Sequence, residues 1–493
     1  GIKWANPFVD RENFGPAPET AAEVLAVGDV IYVMPTTRGD WALAQVPDAQ
    51  SAVVSIDPYD GAVTALSGGF DYTTSKFNRA RQAYRQPGSA FKPFIYSAAL
   101  EHGNTAATVV LDAPVVISSS ELEAVWRPIN YSGRFYGPTR MREALYRSMN
   151  LVSVRLLLFE TGIGNAVRHI AKFGFGDATL IRNGSLALGG GDASPLDMAQ
   201  AYAILANGGL RVTPYVIDAI YGPSGETLYR ADPAVVCNDC VEEKRSTSLL
   251  QDPLLETALG TTNDGEEELQ EIEPLKASDL SILGIDPFDN EESVESELLL
   301  NQYAQAEVCT RPEGPIAPRL FAETRLAPRA ITPQNAFLIQ DMMRDVVRRG
   351  TGIRARRELG RSDLSGKTGT SNDRRDAWFG GFNADLAAVV WVGYDDSSPL
   401  GPREEGSRTA LPIWIEFARL ALEGVPENQM PMPEGIVTVR IDRDTGCPAR
   451  AGQANVIFEV FREGHVPDCE VLPDIADPFN DAAGIDPLPE DAE

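Results

Sequence analysis

Histidine is nearly absent from this chain. There are three in 493 residues, His102, His169 and His465. A serine hydrolase of the usual kind needs a histidine held by an acid to activate its nucleophile. The strained G-x-S-x-G elbow that often presents such a serine is also missing. Basic residues are outnumbered, with 43 Lys and Arg against 71 Asp and Glu and a net charge of −28. That balance leaves no basic surface to neutralise phosphates, which excludes nucleic acid as a partner and disfavours an anionic membrane surface. No apolar run approaches the roughly 20 residues that cross a bilayer. The chain opens GIKWANPF, without methionine or signal peptide, and reads as a piece of something longer.

Cysteine is sparse and odd in number, at five. Cys237 and Cys240 form a C-x-x-C, while Cys309, Cys447 and Cys469 stand alone. A zinc ribbon needs a second close pair, so no metal is expected. In an oxidising compartment Cys237 and Cys240 would form a local disulfide; unpaired thiols are the alternative.

What is present is 43% hydrophobic residues, enough for a large core, over a length that predicts two or more units. Residues 23–47 alternate DVIYVM and WALAQV around polar turns, a small β-rich unit. SAVVSIDPYDGAVTALSGGF (51–70) reads as two strands about a DPYDG turn. Residues 88–210 are mainly helical. KPFIYSAALEHG and PLDMAQAYAILANGG both end on glycine, and MREALYRSMNLVSVRLLLFETG is a long helix or a helix pair. Between 232 and 328 the chain turns acidic and aperiodic, which predicts a mobile insertion, with an acidic docking surface as the alternative. ITPQNAFLIQDMMRDVVRRGTG then predicts a helix with Pro333 in its first turn. Two strands follow, DAWFGGF and AAVVWVGY. The last twenty residues, rich in Asp and Pro, read as a loose tail.

Three short motifs carry chemistry. RQPGSAFKPF places Ser89 three residues before Lys92, the one S-x-x-K in the chain. At that spacing both side chains lie on one helix face, so an uncharged Lys92 is placed to take the Ser89 proton. Ser89 in a first helical turn also lies near free backbone N–H groups, which suits acyl transfer through an oxyanion. RSMNL sets Ser148 and Asn150 in an apolar helical stretch, where both are costly if buried unpaired; a helix end would explain them equally well. SGKTGTSND places Lys367-Thr368-Gly369-Thr370 before a strand. It is not a phosphate-binding loop. Five residues, not four, separate Gly360 from Gly366, and the loop precedes strands rather than a helix.

S-x-x-K, S-x-N and K-T-G-T, once each and in that order, resemble the penicillin-binding proteins and their β-lactamase cousins. The likeness is to the transpeptidase region of class A, type 1a members. It spans about 48–425, and WRPINY (126–131), SLALGGGDASPLDMAQAYAILANGG (185–209) and GKTGTSNDRRDAWFGGF (366–382) share it. The resemblance implies an α/β fold, a mainly antiparallel sheet bearing the 364–394 strands with helices on both sides and the Ser89 helix central. It implies a partial OB-like segment over 1–47 and a transpeptidase domain over 48–425, interrupted by the 232–328 insertion. A C-terminal extension and tail would fill 426–493.

It implies that Ser89 is acylated by the peptide between the terminal D-alanines of a stem peptide, with Lys92 as base. Ser148 would relay a proton to the leaving D-alanine, and Asn150 would hold Lys92 and a substrate amide. Lys367, Thr368 and Thr370 would meet the substrate carboxylate. The Lys367–Thr370 strand, Gly369 included, would pair with the donor, and the Ser89 and Thr370 N–H groups would hold the oxyanion. No cofactor is implied. The partners implied are donor and acceptor stem peptides of peptidoglycan, β-lactams, an outer-membrane lipoprotein activator and other cell-wall synthesis proteins. The location implied is the periplasm, with a parent anchored in the inner membrane. A D,D-carboxypeptidase, a β-lactamase or a non-turnover β-lactam sensor shares the three motifs.

Overall fold

The computed structural model describes residues 15–36, 38–117, 126–237 and 325–469, with residues 2, 4–7 and 9 ahead of them. The C-terminal tail and most of the acidic stretch lie outside the described residues. The two flanks of that stretch are bridged to each other. Val235 N donates to Arg325 O and Ala327 N to Val235 O, both at 2.9 Å. The three short motifs therefore sit in one body, whose chain leaves at Val235 and re-enters beside it at Arg325.

Five strands form one antiparallel sheet: β1 (Gln50–Ile56), β2 (Val63–Ser67), β3 (Ser365–Thr370), β4 (Asp376–Phe382) and β5 (Ala387–Gly393). Their order is β2-β1-β5-β4-β3, which leaves β3 at an edge. All residues of β4 and β5 are buried, so both faces of the sheet are covered. The sequence shows this as runs without hydrophobic–polar alternation. Val389, Trp391 and Phe382 face the helical core, and Val390, Val392 and Phe379 pack with Trp414 and Ile415 on the other face.

Six helices matter here: α1 (Lys92–Glu101), α2 (Met141–Arg147), α3 (Asn150–Arg155), α4 (Pro195–Ala206), α5 (Pro333–Arg349) and α6 (Ala410–Ala421). Helix α1 is buried from Lys92 through Leu100, central as expected. Pro333 is the first residue of α5, with Thr332 as its cap. The long stretch from Met141 is a helix pair, broken at Ser148.

Outside this body, Tyr32–Pro35 pairs with Trp41–Ala44 in the N-terminal segment, and Ile436–Asp442 with Val456–Arg462 in the C-terminal one. The cysteines need a correction. Cys447 and Cys469, single residues in the sequence, are joined by a disulfide across 22 positions, with Cα atoms 5.8 Å apart. Residues after the C-terminal hairpin's first strand fold back along it, with Ala449 N bonded to Arg440 O at 2.8 Å. Only the fold brings those two thiols together. Cys237 is disulfide-bonded as well, to a partner outside the described residues.

Candidate active site

Ser89 lies in a 3-10 turn, Gly88–Phe91, that runs straight into α1 at Lys92. This turn is packed backbone to backbone against the end of β3. A Cβ on Gly88 would come within 2.4 Å of Thr370 O, and one on Gly369 within 2.4 Å of Pro87 O. Gly88 also holds φ +53, a conformation that costs other residues energy. The glycines in PGS and KTGT are thus what allow the Ser89 turn and the edge strand to meet.

The register of β3 fixes what its edge offers. Ser371 N donates to Asp376 O at 3.1 Å, and Thr370 stands opposite Ala377. Antiparallel pairs alternate, so Thr370 and Thr368 turn their N–H and C=O groups away from β4, toward the open edge. Behind the site, Arg85 Nε donates to Asp376 Oδ1 at 2.6 Å, and Ser371 Oγ to Asp376 Oδ2 at 2.9 Å. That salt bridge ties the start of the Ser89 loop to the start of β4, and Ser371 joins the residue after β3 to the same carboxylate.

Ser148 ends α2 in the left-handed region, φ 60° and ψ 39°. For a non-glycine residue that costs on the order of 1 kcal/mol, and such strain gathers at functional sites. Both readings of RSMNL therefore hold at once. Ser148 is a helix end, and that end aims polar atoms into the site. Lys92 Nζ donates to Ser148 O at 2.8 Å, Met149 O at 3.1 Å and Asn150 Oδ1 at 2.8 Å. Lys367 Nζ donates to Ser148 Oγ at 2.8 Å and to Thr368 O at 3.0 Å.

Both lysines are fully buried, and every atom accepting from them is a neutral oxygen. Burial, helped by the Lys367 charge, pushes the Lys92 pKa well below the ordinary lysine value. Burial brings Lys367 down to about 7. Two buried amines, both depressed from the ordinary lysine value and without a carboxylate against them, suit proton transfer.

The structure thus gathers Ser89, Lys92, Ser148, Asn150, Lys367, Gly369 and Thr370 from three distant stretches. Two details differ from what the motifs alone suggest. Among the described residues Ser89 Oγ makes no hydrogen bond to Lys92, whose amine is taken up by the 148–150 loop. The Thr368 hydroxyl bonds the Thr351 hydroxyl at 2.7 Å, whereas Thr370 Oγ1 accepts from Gly406 N at 3.2 Å. No group of His, Cys, Asp and Glu with metal-site geometry occurs among the described residues.

Some polar neighbours escape sequence reading. Asn130 accepts from Asn150 N, and Asp112 holds Asn130. Tyr131 donates to Glu405 Oε1 at 2.5 Å. A clue existed for Asp112, an acid inside the apolar run VVLDAPVV.

Comparison with known proteins agrees with this architecture. The family described as the penicillin binding protein transpeptidase domain matches residues 51–267, and the penicillin-binding protein OB-like domain matches residues 1–49. The chain belongs to the penicillin-binding proteins, as a transpeptidase region of the class A, type 1A kind. It is 41% identical to penicillin-binding protein 1A of Pseudomonas aeruginosa over 491 residues, 99% of this chain and 54% of that one. Against penicillin-binding protein 1A of Escherichia coli it is 35% identical, covering 96% of this chain and 54% of that one. The chain spans about half the length of these curated relatives. The crystal structure of penicillin-binding protein 1A from Haemophilus influenzae superposes with a TM-score of 0.71 at 32% identity, over 90% of this chain and 57% of that one. The PonA1 protein of Mycobacterium tuberculosis in complex with penicillin V shares the fold at a TM-score of 0.53 and 23% identity, over 79% of this chain and 82% of that one.

Proposed function

We propose that this chain is a peptidoglycan D,D-transpeptidase that works through an acyl-enzyme on Ser89 and is blocked covalently there by β-lactams. The observation that carries the reading is the pair of buried lysines, both depressed in pKa, around Ser148 at the edge of β3. As an ammonium, Lys92 has three protons, which serve Ser148 O, Met149 O and Asn150 Oδ1, with Ser148 Oγ a longer fourth acceptor at 3.5 Å. As a neutral amine it donates to two and keeps a lone pair. The Ser89 proton goes to that lone pair as Oγ bonds to the carbonyl carbon between the terminal D-alanines. Catalytic hydrogen bonds are often loose before substrate binds, which accommodates the unbonded Ser89 hydroxyl.

The oxyanion sits between the N–H groups of Ser89 and Thr370. The donor peptide extends along the open edge of β3 as an added strand, and its carboxylate meets Lys367, Thr368 and Thr370. The C–N bond then breaks. The proton on Lys92 passes by way of Ser148 to the departing D-alanine amine. An acceptor amine attacks the ester, its proton returns through the same groups, and Ser89 leaves as the hydroxyl.

We propose the same extents for the units as the sequence suggests: an OB-like segment to residue 47, a transpeptidase domain over 48–425 with its acidic insertion, and a C-terminal extension. The Cys447–Cys469 disulfide supports action in an oxidising compartment, the periplasm. No described helix is long and apolar enough to cross a membrane. An inner-membrane anchor, a lipoprotein activator and other cell-wall synthesis proteins would be features of the longer protein. The test is incubation with a donor stem peptide and an amine acceptor. Cross-linked dimer is expected. Hydrolysed donor alone would mark a carboxypeptidase, turnover of penicillin a β-lactamase, and acylation by penicillin without any peptide product a sensor.

A further inference from the structure

We infer that Asn130, clamped by Asp112, is a positioning residue of the acylation site. It fixes the start of α3 and the orientation of the Asn150 amide, and thereby the oxygens that surround Lys92. This rests on the function proposed above.

The residue before α3 is Met149, which has no side-chain oxygen to cap the helix. Asn130 supplies the cap from outside. Its Oδ1 accepts from Asn150 N at 2.9 Å and from Leu151 N at 3.3 Å, two donors that a helix start leaves without partners. Its Nδ2 donates to both oxygens of Asp112 at 2.8 Å and to Arg134 O at 2.9 Å. Asp112 and Asn130 are buried, and Asp112 also accepts from Tyr136 N at 2.9 Å. The amide of Asn130 fits in one sense only. Reversed, its NH₂ would face two N–H donors and its oxygen a carboxylate.

The next residue back completes the device. Asn150 Nδ2 donates to Ile129 O at 2.9 Å, so Asn150 must turn Oδ1 toward Lys92 Nζ. Ile129 and Asn130 thus grip Asn150 by its side chain and its backbone. Asp112 ends the short strand Val109–Asp112, which pairs with Gly137–Arg140, the strand that leads into α2 and on to Ser148. The clamp therefore stands at the base of the whole Ser148–Asn150 loop. The charged group that bears on Lys92 is Lys367, from β3.

The test is the rate of Ser89 acylation by a fluorescent penicillin, counted per competent site and followed across pH. Asn130→Asp keeps an oxygen toward Asn150 N but sets a second carboxylate against Asp112. The expected result is a fall of at least about tenfold per competent site. The pH of half-maximal acylation should rise, because negative charge nearer Lys92 favours its ammonium. Adding Asp112→Asn returns a donor opposite an acceptor and should recover most of the lost rate. Should Asn130→Asp not fold, Asp112→Asn alone serves, with an expected fall of about threefold. A wild-type rate and pH profile per competent site, with only fewer sites or a lower Tm, would overturn the inference and leave Asn130 a packing residue. Failure of the unaltered chain to be labelled at Ser89 would overturn the underlying function instead, and the inference with it.

Discussion

Two buried cation sites lie at the two ends of helix α2, and they behave in opposite ways. At one, Arg142 is surrounded by acids: Glu459 bonds its Nη2 at 2.5 Å, Asp341 at 2.6 Å, and Asp345 bonds its Nη1 at 3.1 Å. Burial alone would lower its pKa, but these three carboxylates more than reverse the effect and raise it. At the other, past the C-terminal end of the same helix, Lys92 and Lys367 are equally buried but meet only neutral oxygens, and both are depressed. Burial does not decide whether a cation is structural or reactive; the charge of its neighbours does. The first site pins the C-terminal hairpin to the body through Glu459. The second keeps two amines close to losing a proton.

That contrast can be broken at several points. Ser89→Ala should abolish covalent labelling by a fluorescent penicillin while leaving Tm nearly unchanged, since Ser89 is half-buried and the change removes a single hydroxyl; gel fluorescence and calorimetry together check it. Lys92→Ala should slow acylation by about 10² or more, the scale of a lost general base. Lys92→Arg should rescue little, because a guanidinium stays protonated. Stopped-flow acylation that was normal in either lysine variant would move the base elsewhere. Lys367→Ala should slow acylation mainly by weakening the hold on the carboxylate, seen as a raised half-saturating concentration.

The acid-lined site should respond the other way. Glu459→Leu removes one partner of a buried pair and should cost about 3 kcal/mol in urea unfolding. Acylation of the molecules still folded should remain as fast as before. If acylation fell in step with stability, the two sites would not be separable. A smaller effect concerns pH. Between about 7 and the ordinary lysine value of 10.5 the unfolded chain binds more protons at Lys367 than the folded chain does. Stability should therefore rise with pH across that window, and Lys367→Met should flatten the rise. Smallest of all, Tyr131→Phe removes an exposed bond to Glu405 and should change acylation by less than about threefold.

The candidate site was legible in the sequence because its motifs are local. Ser89 and Lys92 are one turn apart, Ser148 and Asn150 two residues, and Lys367 to Thr370 contiguous, so short motifs carry them. The buried strands DAWFGGF and AAVVWVGY were readable for the same reason. What failed to show depends on long-range closure. The Cys447–Cys469 bond needs a folded hairpin, and the Arg142–Glu459 pair joins residues 317 positions apart. Asn130 looks like any polar residue until α3 proves to start without a cap of its own. Ser148 was ambiguous between turn and function because it is a turn whose strained backbone does the aiming.

The most direct measurement is the titration of Lys92 itself. Its ε-carbon resonance, in protein labelled with ¹³C-lysine and assigned by its loss in Lys92→Met, reports the charge on Nζ as pH is raised from 5 to 11. Neutral acceptors, burial and a neighbouring lysine predict a midpoint well below the ordinary 10.5. A midpoint at or above that value would mean that Lys92 stays an ammonium through the physiological range, and the contrast with Arg142 would fall with it.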